Sequence, residues 1–188
     1  MPYTESDQEI LLKLARKTIV QVTHGRPVPT VVLSNYSSSL QADGASFVTL
    51  IKHGQLRGCI GALEATMPLV MDVCEHAEAA ALHDYRFSPV SYHELNDLLI
   101  EVSILTAPVP LDYTSPNDLL DALIPGVDGV ILKNGYQRAT FLPQVWDKIP
   151  EKSQFLSQLC LKMGASADLW RKKPLTVLRY QVEEFSEK

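Results

Sequence analysis

SFVTLIKHGQLRGCIG, residues 46 to 61, reads as two strands and a turn. SFVTLI (46–51) is rich in β-branched and aromatic residues, KHGQ reverses the chain, and LRGCIG (56–61) returns as the hairpin partner. The second strand is unusual. Glycine weakens a strand interior, and two in one short run mark a bulge or a close backbone approach. Strict alternation puts Leu56, Gly58 and Ile60 on one face and Arg57, Cys59 and Gly61 on the other. A guanidinium and a thiol then project together. A neighbouring cation favours the thiolate, which is how reactive cysteines arise. Gly61 on that face leaves room for a ligand or a backbone. The opposing reading makes Cys59 a small buried filler and Arg57 an ion-pair partner.

Helices surround this hairpin. Ser6 and Glu9 form a capping-box pattern before Ile10, Leu11, Leu14, Thr18 and Val22, with Gly25 as the stop, so the first helix is expected over 7–24. Residues 26–45 are rich in Pro, Ser and Asn and read as a long loop. Thr66 and Pro68 open a second helix that ends near His83. LLIEVSIL (98–105) is a strand with Ile100, Val102 and Ile104 on one face and Leu99, Glu101 and Ser103 on the other. Ser115 caps a short helix to about Leu123. Asn134-Gly135 signals a second hairpin. A helix over 151–163 and a strand over 175–182 close the chain. This alternation predicts an α+β fold with a mixed or antiparallel sheet, as one domain over 1–188. The order strand, strand, helix, strand occurs twice and suggests two similar halves.

The chain has 188 residues, 46 % hydrophobic and 21 % charged, with net charge −5. That balance disfavours non-specific binding to a polyanion. Arg171, Lys172 and Lys173 read as a solvated surface patch. No apolar run approaches the roughly 18 residues that span a bilayer, and the acids of MPYTESDQEI do not suit a signal peptide. Three scattered cysteines, Cys59, Cys74 and Cys160, make no disulfide framework. These features predict a reduced, cytoplasmic protein without membrane contact. The five histidines lack metal-ligand spacing, so no metal is expected, and no nucleotide or hydrolase motif points to a cofactor.

HDYRF (83–87) holds a second pair, Asp84 and Arg86, which can fix a loop bidentately or present a charge to a ligand. In ATFLPQVW (139–146), Thr140 is the one hydroxyl before Pro143.

Taken together, LRGCIG, DYRFSPVSYHELNDLLIEVSIL, GVDGVILKNGYQRATFLPQVW and LCLKMG resemble the AMMECR1 domain family over nearly the whole chain. The closer likeness is to its prokaryotic members in the AmmeMemoRadiSam system. LRGCIG is the hallmark. In DYRF, Tyr85 replaces the family's usual proline. The resemblance implies a compact α+β fold in two unequal lobes around a cleft, and association with a Memo-like protein and a radical SAM protein. It supplies no reaction. The candidate functional residues are therefore Arg57, Gly58, Cys59, Gly61, Asp84, Arg86 and Thr140. The leading expectation is an accessory or modifying component that binds a small ligand or partner segment at this strand. The alternatives are an enzyme with Cys59 as thiol nucleophile, and a regulatory module contacting nucleic acid or a nucleic-acid-associated partner. Arg57 and Arg86 are expected in one polar region, Thr140 near Cys59, and Arg57 beside the thiol.

Overall fold

The computed structural model describes residues 3–188, which divide into two compact units: residues 3–105 with Glu183–Lys188, and Thr106–Val182. In chain order the first contains α1 (Glu5–Thr23), α2 (Ser38–Gln41), β1 (Asp43–Lys52), β2 (Gln55–Gly61), β3 (Met67–Pro68), α3 (Leu69–Leu82) and β4 (Leu98–Leu105). The second contains β5 (Val109–Pro110), α4 (Pro116–Ala122), β6 (Gly129–Asn134), β7 (Gln137–Phe141), α5 (Lys152–Lys162), α6 (Leu169–Lys172) and β8 (Thr176–Tyr180). The last strand, β9 (Val182–Ser186), returns to the sheet of the first unit. The fold is α+β with antiparallel strand pairs.

The first sheet has the order β2-β1-β4-β9, with β3 added beside β1. Val48, Leu50, Ile100, Val102 and Ile104 join Leu11, Ile19, Val73 and Ala77 of α1 and α3 in one buried core. The alternation expected for 98–105 therefore holds, with Glu101 opposite Thr49 and Ser103 opposite Phe47 on the face turned away from the helices. The β1–β2 turn is His53-Gly54, at φ +51° and +76°, between the paired residues Lys52 and Gln55. Two positive φ values are what a tight two-residue hairpin turn needs to match strand twist.

Several local expectations give way. Thr4, not Ser6, caps α1, and its box partner is Asp7. The Thr4–Asp7 spacing fits the same pattern two residues earlier. Asp7 also accepts from Ser37 at 2.7 Å, which holds its carboxyl below its usual value, while Glu9 pairs with Lys13. Residues 26–45 are not one loop: a 3-10 turn at Leu33–Asn35, α2 with its buried Leu40, and the start of β1 lie within them. Thr66 does not cap α3. Pro68 stands at that position inside β3, and the Leu69 N–H donates to Ala42 O. Strand pairing thus supplies what a capping side chain would have supplied.

The second sheet has the order β5-β8-β6-β7. Its core centres on Trp146 stacked on Phe155, with ring centroids 3.6 Å apart, among Leu119, Leu132, Leu159 and Val177. The hairpin turn is Gly135-Tyr136, one residue later than the Asn-Gly signal, because Asn134 still pairs with Gln137. Each unit repeats one pattern. A hairpin's first strand lies between its partner and the strand that follows a helix, as β2-β1-β4 and β7-β6-β8. Thr49 opposite Cys59 corresponds to Ile131 opposite Thr140, each four residues before the first residue of its turn.

Candidate functional site

Strand β2 is an edge strand, and its register decides where the motif residues go. Leu50 pairs with Gly58, but Ile51 pairs with Leu56, so Arg57 is the extra residue of a β-bulge. A bulge re-aims its side chain. The expected Arg57–Cys59 partnership is therefore replaced. Arg57 Nε and Nη2 donate to the two oxygens of Glu94, each at 3.0 Å, and Nη1 donates to Ser88 O at 3.0 Å. Lys52 Nζ donates to the same carboxylate at 2.9 Å, as does the Ser91 N–H at 3.0 Å. Glu94 is thereby pushed down to about 2, chiefly by Arg57. Glu94 was missed among the candidates. Its signal lies in SYHE (91–94), a capping box closing the 3-10 turn Tyr92–Asp97.

Asp84 and Arg86 meet the same edge two residues on. Cys59 N–H donates to Asp84 Oδ2 at 2.9 Å, and Arg86 Nη2 donates to Cys59 O at 3.0 Å. Arg86 also grips Asp84 through Nε at 2.9 Å and Nη2 at 2.6 Å. The Asp84 side chain is buried, and the guanidinium holds its carboxyl well below the usual range. Together the two side chains occupy one N–H and one C=O that an adjacent strand would otherwise pair. Tyr85, between them, points into solvent at 94 % exposure. Arg57 and Arg86 thus both tie β2 to residues 84–94, and both are committed to backbone and carboxylate.

The glycines are equally committed. A Cβ on Gly58 would lie 2.2 Å from Ala80 O of α3, and one on Gly61 would lie 2.3 Å from both the Phe47 ring and Ser46 O. Gly61 therefore makes room for Phe47 and the β1 backbone, not for a ligand.

What remains is a row of side chains across the face turned away from α1 and α3. Thr49 stands between Cys59 on β2 and Glu101 on β4. Thr49 Oγ1 donates to Cys59 Sγ at 3.3 Å. Cys59 is partly exposed, whereas Cys74 and Cys160 are buried. Burial, with Glu184 as the lesser contribution, raises the Glu101 carboxyl above its ordinary value. Ser103 Oγ donates to Glu184 at 3.2 Å. Thr49 and Glu101 carry no sequence motif; only the register puts them beside the thiol. Thr140 belongs to the second unit, where Oγ1 donates to Val130 O at 2.9 Å and lies 3.0 Å from Tyr180 Oη. Burial pushes that tyrosine up to about 12. Among the described residues, no group of three or more His, Cys, Asp or Glu could hold a metal ion, and no helix is long and apolar enough to cross a membrane.

An α+β fold of this topology, with its edge strand LRGCIG sealed by a downstream Asp–Arg pair, defines one class of protein. Residues 12–185 match the AMMECR1 family model, and the chain belongs to that family. A protein of Methanothermobacter thermautotrophicus is 37 % identical over 191 residues, covering 99 % of this chain and 97 % of the relative. One from Methanocaldococcus jannaschii is 33 % identical, covering 94 % and 88 %. The crystal structure of an uncharacterized protein from Pyrococcus horikoshii superimposes with a TM-score of 0.86 at 30 % identity, covering 98 % of this chain and 93 % of that one.

Proposed function

We propose that the chain is a binding component that takes a small polar ligand or an extended partner segment on the row Cys59–Thr49–Glu101. The observation that carries this reading is the Thr49 Oγ1–Cys59 Sγ contact of 3.3 Å on a partly exposed thiol, in a motif whose arginines are already spent on structure. A thiol, a hydroxyl and a carboxyl whose titration burial shifts upward offer donors and acceptors in one line. The partners in this reading are of the Memo-like and radical SAM classes, in a cytoplasmic setting. The first unit holds eight Lys and Arg against fifteen Asp and Glu, a net −7, which argues against nucleic acid there. The test is a titration of the isotope-labelled chain with the Memo-like and radical SAM proteins encoded by the same genome. Backbone shifts at Thr49, Cys59 and Glu101 are expected, and they should vanish in Glu101→Gln with Thr49→Val. Shifts confined to other surfaces would overturn the reading.

The thiol-nucleophile reading is favoured by the partial exposure of Cys59, whose sulfur accepts from the same hydroxyl. The expected result is that iodoacetamide alkylates Cys59 at least tenfold faster than Cys160, which is 0 % exposed and whose thiol burial pushes up. Thr49→Val should slow Cys59 several-fold, and Arg57→Met should not. Equal, slow labelling of both cysteines would show that Cys59 is packing.

A further inference from the structure

The cations of the first unit are unevenly committed. Lys13, Arg16, Lys52, Arg57 and Arg86 each pair with an acid. Among the described residues, Lys17, Arg26 and Lys188 have no acidic partner, although acids outnumber cations nearly two to one in this unit. All three line a pair of adjoining hollows on α1. The larger, about 950 Å³, runs between α1, the start of β4 and the end of β9, and includes Leu12, Leu95, Leu99 and Lys17. The smaller, about 420 Å³, includes Lys17, Arg26, Val28 and Pro29. Lys17 belongs to both.

Two of the three acidic side chains of the larger hollow, Glu9 and Glu187, are paired with cations. Glu9 pairs with Lys13, and Asp97 lies 4.0 Å from His53 Nε2. Glu187 accepts from Arg16 and from the Ile100 N–H at 3.0 Å, so it anchors the returning tail. None of the three is paired with Lys17. The dimensions are those of a small-molecule site, whose usual makeup is an apolar lining with a few placed polar groups. A macromolecular polyanion fits poorly, because the surrounding unit carries net −7 and repels it.

We propose that these hollows bind a small amphipathic anion, with a carboxylate or phosphate head on Lys17 and Arg26 and an apolar body along Leu12 and Leu95. The site is separate from the Cys59 row and does not depend on how that row functions. The charged head fixes orientation, and the leucines supply the transfer energy, so neither half alone suffices.

The experiment is a calorimetric and NMR titration of the full chain with four probes: octyl phosphate, decanoate, inorganic phosphate and octanol. One or both amphipathic anions should bind at least tenfold tighter than inorganic phosphate and octanol, with shifts at Leu12, Lys17 and Leu95. Preference for octyl phosphate identifies a phosphate head, and preference for decanoate a carboxylate; either supports the site. Lys17→Glu and Arg26→Glu change exposed residues, so both variants should keep the parent's circular dichroism and thermal midpoint, and each should weaken binding at least tenfold. Inorganic phosphate matching octyl phosphate, undiminished affinity in both variants, or no binding of either amphipathic anion at millimolar concentration would each overturn the proposal.

Discussion

Gly58→Ala should cost about 3 kcal/mol or more of folding stability, the range of severe overpacking against an unyielding neighbour. The added methyl would sit 2.2 Å from Ala80 O and 3.3 Å from Ala80 C, so it meets helix backbone, not the end of a side chain. Relief requires β2 and α3 to separate, which opens the core around Leu50 and Ala77, both 0 % exposed. Gly54→Ala is the control. Gly54 sits at φ +76° with nothing within 4 Å, so it carries only the left-handed backbone penalty of about 1–2 kcal/mol. Urea unfolding of the two variants measures the difference. A Gly58→Ala loss no larger than the Gly54→Ala loss would mean that the strand–helix contact is looser than the geometry shows.

The second large effect is acid lability centred on Glu94. Its folded value of about 2 lies below the ordinary 4.5, so its contribution is fully present above pH 4.5 and is lost as pH falls towards 2. That difference corresponds to about 3 kcal/mol. The side chains of Glu94 and Arg57 are 18 % and 15 % exposed, so solvent screens the pair less than it screens surface ion pairs. Glu94→Gln should therefore destabilise the protein by about 2–3 kcal/mol at pH 7, because Arg57 and Lys52 lose their shared acceptor. Its stability should also fall less than the parent's between pH 5 and pH 3. Asp84, whose carboxyl is likewise held low, keeps part of the acid dependence in the variant. Urea midpoints at pH 7, 5 and 3 for both proteins settle the point, and parallel pH curves would contradict it.

Both expectations turn on what the amino-acid pattern can and cannot carry. The elements were readable because periodicity is local: α1, the two hairpins, β4 and α5 follow from spacing and turn residues within a few positions. The two glycines of LRGCIG do mark a close backbone approach, as their spacing suggested. They also signalled a bulge, but its place at Arg57 was not readable, because it depends on β1 supplying one residue fewer than β2 across the ladder. Missing it put the guanidinium on the wrong side and hid Glu94 behind an unremarked capping box. Thr49 and Glu101 were invisible for a related reason. Each looks like an ordinary strand residue until pairing sets it beside Cys59.

The sealing of β2 by Asp84 and Arg86 also has a timetable. The two bonds to Cys59 span 25 and 27 residues of sequence, and Glu94 lies 37 beyond Arg57. On a translating ribosome at about 5–20 residues per second, the hairpin emerges roughly one to five seconds before the residues that close its edge. During that interval Leu56 to Gly61 is a nascent strand with an unpaired rim. Slow codons between positions 60 and 86 would lengthen the exposure without changing one contact of the finished protein. Chains truncated in that window should be the ones that aggregate, whereas chains released past Glu94 carry their own stopper.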